Sequence, residues 1–190
     1  MKILITGATG LLGRSLVKTA LSKGIEINFL TTKKSKINCL NKAKGFYWNP
    51  SNGDLDTDCF LGVDIIIHLA GASISKLWTS SYKKLIFYSR VDSTRLLFSS
   101  LKQIGSRHKI KQIISASAVG IYPSDFEKKF SETAKVYPST FMEEVVIAWE
   151  NEVNSFDSIN IKVAKMRIGL VLSNYGGVLG PLKILTAFGL

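Results

Sequence analysis

Short, unbroken apolar runs alternate along this chain with longer stretches in which apolar residues recur every three or four positions. Ile3, Leu4 and Ile5 form the first run, which passes directly into glycine, the pattern of a parallel strand buried on both faces. Leu11, Leu12, Leu16, Val17, Ala20 and Leu21 then recur at helical spacing, Gly24 supplies a stop, and residues 25–30 begin a second strand. Residues 33–44 are polar and basic without a period and read as loop, followed by a short strand at 46–48 and turn chemistry at 49–54. A buried strand over 64–71 runs into small residues. A long helix over 79–104 follows, with Tyr82, Leu85, Ile86, Leu96, Leu97 and Leu101 expected to face the core. Further along come a strand at 111–117, a helix at 140–156 carrying Val145, Val146 and Trp149, and a strand at 161–172. A turn at 175–177 precedes a last apolar segment at 179–190. Strands alternating with helices predict an α/β fold, an open, doubly wound parallel sheet with right-handed crossovers.

The most specific signal lies where the first strand meets the first helix, in Thr6-Gly7-Ala8-Thr9-Gly10-Leu11-Leu12-Gly13. Three glycines at this spacing, after a strand and opening a helix, form a dinucleotide fingerprint. Gly7 permits a sharp turn, Gly10 lets backbone approach a pyrophosphate, and Gly13 permits close packing of the helix. The loop residue Thr9 and the first-turn residues Leu11 and Leu12 complete the cradle, whose N–H groups and helix dipole attract phosphate.

The two nicotinamide cofactors are distinguished at the end of the second strand, where a carboxylate accepts from a ribose 2′-hydroxyl. After Glu26 no acidic residue occurs until Asp54, and Thr31, Thr32, Lys33 and Lys34 stand at that place. Hydroxyls and ammonium groups accommodate a 2′-phosphate that a carboxylate repels, so NADP is expected, with NAD as the alternative.

Composition mainly excludes. Cys39 and Cys59 lack metal-ligand spacing and give no disulfide framework, which fits a reducing, cytoplasmic setting. No apolar stretch is long enough to cross a membrane, and the N-terminus reads as a strand instead of a signal, so neither a membrane partner nor targeting is expected. The formal charge of +11 comes from scattered lysines without a basic block, and nucleic acid is not expected as a partner. The sequence leaves the oligomeric state open.

The glycine spacing, His68-Leu69-Ala70-Gly71 and the segment from Ser115-Ala116-Ser117 to Tyr122 together resemble the extended short-chain dehydrogenase/reductases. More narrowly, Trp78, Ser89-Arg90, Trp149-Glu150 and Arg167-Ile168-Gly169-Leu170-Val171-Leu172 resemble an atypical branch of epimerase family proteins, or nucleoside-diphosphate-sugar epimerases. The resemblance implies a Rossmann-type NAD(P)-binding domain over 1–172. Residues 173–190 would then begin a substrate-binding region of which most is lacking, so that the chain is expected to be truncated. It implies that Leu69, Ala70 and Gly71 line the cofactor, that Arg90 reaches toward its phosphates, and that Ser115, Ala116 and Arg167 belong to the cofactor site. His68 reads as a packed strand residue and Trp149 as core.

In that superfamily a serine works with a Tyr-x-x-x-Lys pair, the tyrosine as acid/base. Ser117 matches the serine, but Phe141 and Val145 stand where tyrosine and lysine are expected. A phenyl ring exchanges no proton and an isopropyl group lowers no pKa, so Tyr122 is the substitute acid that the sequence offers. The expected function is an NADP-binding oxidoreductase or epimerase acting on a small molecule, such as a nucleotide sugar. A non-catalytic dinucleotide sensor and an inactive fragment are the alternatives.

Overall fold

Ile3, Leu4 and Ile5 are buried on both faces because β1 (Lys2–Thr6) lies inside a seven-stranded sheet. The computed structural model describes residues 1–125, 127–179, 183, 186 and 187. Its strands are β1, β2 (Glu26–Thr31), β3 (Lys44–Asn49), β4 (Asp54–Leu55), β5 (Ile65–His68), β6 (Gln112–Ala118) and β7 (Lys162–Ile168). They stand in the order β4-β3-β2-β1-β5-β6-β7, all parallel except β4, which pairs antiparallel with β3. The order reverses at β1, between β2 on one side and β5 on the other. That is the switch point beyond whose strand ends ligands bind in open α/β sheets.

Alternation within each strand assigns the two faces. Ile3, Ile5, Ile27 and Phe29 pack with Val17 and Ala20 of α1 (Leu11–Ser22), while Leu4, Leu30, Phe46, Trp48, Ile66 and Ile113 face the other way. That second face is covered by Leu97 and Leu101 of α2 (Ser80–Ile104) and by Phe156 beyond α3 (Phe141–Asn154). Two helix starts carry side-chain caps: Thr79 caps α2 by accepting from the Tyr82 N–H, and Thr140 with Glu143 forms a reciprocal capping box on α3. α1 differs. Its N-cap is Gly10, and among the described residues no side chain caps it.

The structure departs from the sequence expectation in three places. Asp54–Leu55 folds back on Trp48 and Asn49 as β4, a hairpin too short to carry a period-two pattern. The strand expected over 161–172 stops at Ile168. Leu172–Ser173 (β8) pairs instead with Gly176–Gly177 (β9), because the chain reverses at 174–175. Leu85 is 51% exposed and Tyr82 only half-buried, since α2 seals the sheet through Ile86, Val91, Leu97 and Leu101 and turns those two outward. Most of the apolar segment at 179–190 lies outside the described residues. His68 and Trp149 are buried as expected, and Cys39 and Cys59 are both free thiols.

Candidate functional site

Parallel pairing in register levels the carboxyl ends of the central strands: Thr6 stands opposite Leu30 and His68, and His68 opposite Ser115. Beyond that level opens a crevice of about 470 Å³. Its walls come from the glycine loop (Gly7, Thr9), the end of β2 (Leu30, Thr31, Thr32), the end of β3 (Trp48 to Ser51), the turn Ala70-Gly71-Ala72, and one stripe of α2.

The three loop glycines meet different surroundings. Gly7 has φ +69°, a left-handed conformation, and a Cβ there would lie 2.7 Å from the Leu69 carbonyl oxygen. A Cβ on Gly13 would lie 2.2 Å from the Gly7 carbonyl oxygen and 2.7 Å from the Ala8 Cα, so this glycine lets the helix close on its own loop instead of on a strand. Gly10 has φ −76° and ψ 179°, extended backbone that any residue adopts, and its Cβ would meet only the Gly7 carbonyl oxygen, at 3.2 Å. Its backbone angles therefore do not demand glycine at position 10, although a Cβ would press on that oxygen. A side chain there would also occupy the space in front of an uncapped helix start, where the first-turn amides of Leu11 and Leu12 have no side-chain acceptor among the described residues. With no acidic residue in that first turn, these groups fit a diphosphate.

At the ribose end, Thr31 and Thr32 line the crevice while Lys33 does not. The Lys33 amide donates to Thr31 Oγ1 at 3.3 Å, and the Lys34 ammonium lies over the Tyr47 ring. The carboxylate of β2, Glu26, is at the opposite end of the strand, 3.1 Å from Lys2. The expectation of a β2 terminus without acid thus corresponds to a crevice wall of hydroxyls.

Other expected site residues are placed elsewhere. Ala70 and Gly71 line the crevice, but Leu69 packs against the apolar cluster under α1, its carbonyl against Gly7. Arg90 is not one of the crevice walls but stands behind Gly71, which is. Its guanidinium donates to the carbonyls of Ile86 at 3.0 Å and Ala72 at 3.2 Å, stacks over Trp149, and abuts Gly71. Burial pulls its pKa down, against the Tyr82 hydroxyl. Ser115 is fully buried with its hydroxyl on the Ala116 carbonyl, and neither residue lines the crevice.

Ser117, Tyr122 and Arg167 come together in a second constellation, beside a pocket of about 390 Å³ lined by Val119, Tyr122, Phe130, Glu132, Lys165 and Arg167. Arg167 grips Glu150 of α3 with Nε and Nη2, each at 2.9 Å, and donates from Nη1 to the Tyr122 hydroxyl at 2.6 Å. Ser117 donates to Glu150 Oε1 at 2.5 Å, and Lys165 lies 3.4 Å from Oε2. The Tyr122 hydroxyl itself donates to the Ser131 carbonyl and its ring stacks on Phe130. Burial pushes the Glu150 carboxyl up, but hydrogen bonds from Arg167 and Ser117 and the charge of Lys165 outweigh it and leave the group below the usual carboxylate range. The same Glu150 bonds hold the Arg167 guanidinium firmly protonated. Arg167 is thus committed to a carboxylate and a phenol and contributes nothing to the crevice wall. Val145 is fully buried, and Phe141 packs edge-on against Trp78 with the Lys83 ammonium over its ring.

Sequence reading missed the β3 end and the α2 stripe. Leu85, Tyr88, Ser89 and Asp92 recur at helical spacing and line the crevice, yet an apolar-periodicity argument assigns Leu85 to the core and ignores the rest. The usable signal was their position opposite the strand ends of a doubly wound sheet.

The profile of the NAD dependent epimerase/dehydratase family matches residues 3–178. An epimerase family protein of Staphylococcus saprophyticus is 36% identical over 181 residues, covering 95% of this chain and 59% of that protein. One of Staphylococcus aureus is 34% identical over 189 residues with the same coverage. The chain therefore spans about three fifths of the length of these curated relatives. Among solved structures, the nucleoside-diphosphate sugar epimerase of Corynebacterium glutamicum superposes with a TM-score of 0.80 at 30% identity, covering 98% of this chain and 38% of that one. A human epimerase family protein crystallised with NADPH gives a TM-score of 0.78 at 21% identity, covering 100% of this chain and 60% of that one, a likeness of fold.

Proposed function

Because the chain belongs to the NAD-dependent epimerase/dehydratase family, we propose that its crevice binds NADP and that the protein serves oxidoreductase or epimerase chemistry on a small molecule, such as a nucleotide sugar. The observation that carries this reading is Gly10, a glycine in an ordinary backbone conformation at an uncapped helix start. The diphosphate would rest on the first-turn amides of Leu11 and Leu12, the Gly10 amide being already given to the Gly7 carbonyl at 2.9 Å, and the bound nicotinamide would supply hydride chemistry. Thr31 and Thr32 would accept the ribose end, with Lys33 and Lys34 close enough in sequence to neutralise a 2′-phosphate. Ser117 and Tyr122 remain the proposed catalytic hydroxyls. Their present partners, Glu150 and Arg167, would hold them in fixed orientation beside the second pocket.

That same engagement favours a second reading, a dinucleotide-responsive protein without turnover. Ser117 has given its hydrogen to Glu150, and Phe141 and Val145 are occupied in packing.

Thermal denaturation with NADPH or NADH tests the cofactor reading, since a ligand that binds the native state raises the melting temperature. NADPH should stabilise at lower concentration than NADH. Equal stabilisation overturns the 2′-phosphate assignment, and none with either overturns the dinucleotide assignment. Single-turnover assays with NADPH and candidate nucleotide sugars then separate the two readings: product formation that Tyr122→Phe abolishes supports catalysis, and binding without product supports the sensor.

A further inference from the structure

A chain of buried polar groups runs beneath the crevice and takes no part in the binding described above. Thr6 and His68 are both fully buried and stand opposite one another at the ends of β1 and β5. Thr6 Oγ1 accepts the N–H groups of Leu69 and Ala70, each at 3.0 Å, so both of its lone pairs are used. Its single hydrogen must point to His68 Nδ1, 2.7 Å away. Nδ1 is therefore bare and the ring hydrogen sits on Nε2, which donates to Thr94 Oγ1 at 3.1 Å, with Ser93 Oγ flanking at 3.3 Å. The hydroxyls of Thr94 and Ser93 pass their own hydrogens to the Arg90 carbonyl, at 2.7 and 3.0 Å. Every hydrogen is assigned, and all run one way, from the 69–70 turn through β1 and the imidazole into α2.

These attachment points are walls of the crevice. Gly7, Ala70 and Ser93 line it, and Gly7 approaches the Leu69 carbonyl too closely to admit a Cβ. We propose that His68 is a positioning residue for the dinucleotide: as the Nε2–H tautomer it fixes the glycine loop, the 69–71 turn and α2 at the spacing that the ligand requires. The inference rests on the dinucleotide reading and adds to it a residue that touches no ligand. An aliphatic side chain at 68 would leave the Thr6 hydroxyl without an acceptor in a site closed to water, and the turn and the helix would shift to satisfy it.

Two measurements test this on the full chain. Long-range proton–nitrogen spectra of imidazole-labelled protein, with the second histidine assigned through His108→Gln, should give one bare Nδ1 and one protonated Nε2 for His68. An Nδ1–H tautomer overturns the chain of donors. NADPH titrations should then show His68→Leu binding about tenfold more weakly, the scale of one hydrogen bond, with His68→Asn restoring most of the affinity because its carbonyl can accept from Thr6. Val153→Ala, a core substitution chosen to cost a similar melting temperature, should leave affinity unchanged. Should His68→Leu fail to fold, Thr94→Val takes its place, since it removes the nearer Nε2 acceptor and one bond to the Arg90 carbonyl but leaves the bond from Thr6 to His68 intact. Wild-type affinity in the folded variant, or an equal loss in Val153→Ala, overturns the proposal while leaving the dinucleotide reading intact. Absence of NADPH binding in the wild type overturns both.

Discussion

At the scale of single residues, the glycine loop was legible because its demands are local. Three glycines at a fixed spacing beside a strand sufficed to single out Gly7, Gly10 and Gly13, although Gly13 proves to accommodate the loop's own backbone. Gly13→Ala should therefore cost about 1–3 kcal/mol by overpacking, read as a lower melting temperature without ligand. His68 makes a prediction of another kind. Burial, reinforced by the Arg90 charge, holds its folded pKa at about 3 against an ordinary value of 6.5. The native state thus binds fewer protons than the unfolded chain between those values, and stability must fall as pH drops through that window. The slope is about 1.4 kcal/mol per pH unit at most. Denaturant melts from pH 7 to pH 5 should reveal this loss, which His68→Leu flattens; a flat wild-type profile contradicts the buried neutral imidazole. What the residue scale concealed in sequence was partnership. Arg90, Ser117 and Arg167 carry the right functional groups, but their orientations are fixed by Ala72, Glu150 and Tyr122, residues distant in sequence.

At the scale of elements, apolar runs and helical periods located β1, α1, β2, α2, β6 and α3 to within a residue or two, because each is long enough to repeat its pattern. The short β4, β8 and β9 escaped, since two residues cannot display a period. The α2 stripe escaped for a subtler reason: a helix that seals a core on one side can present a mixed face to a crevice on the other, and Leu85 belongs to the second. Element starts are open to direct test. Thr140→Ala removes one half of the α3 capping box and should cost about 1 kcal/mol in a denaturant melt. Glu150→Ala should cost more, about 3 kcal/mol, because it strands the Arg167 guanidinium among α3, β7 and the 119–122 turn. Glu150→Gln, which can still accept from Ser117, should recover part of that loss.

At the scale of the molecule, the alternation of strands and helices predicted a doubly wound sheet, and the observed order reverses at β1, where the crevice opens. Substrate identity is not written at this scale, for the chain spans about three fifths of its curated relatives' length and the second pocket's lining names no single ligand. The dinucleotide assignment depends instead on a small patch of bare backbone, and calorimetric titration of NADPH into wild type and Gly10→Asp tests it most directly. The wild type should show saturable 1:1 binding. Gly10→Asp, whose carboxylate would occupy and repel the diphosphate, should bind about a hundredfold or more weakly while still melting cooperatively without ligand. Equal affinity in the two proteins would contradict the assignment.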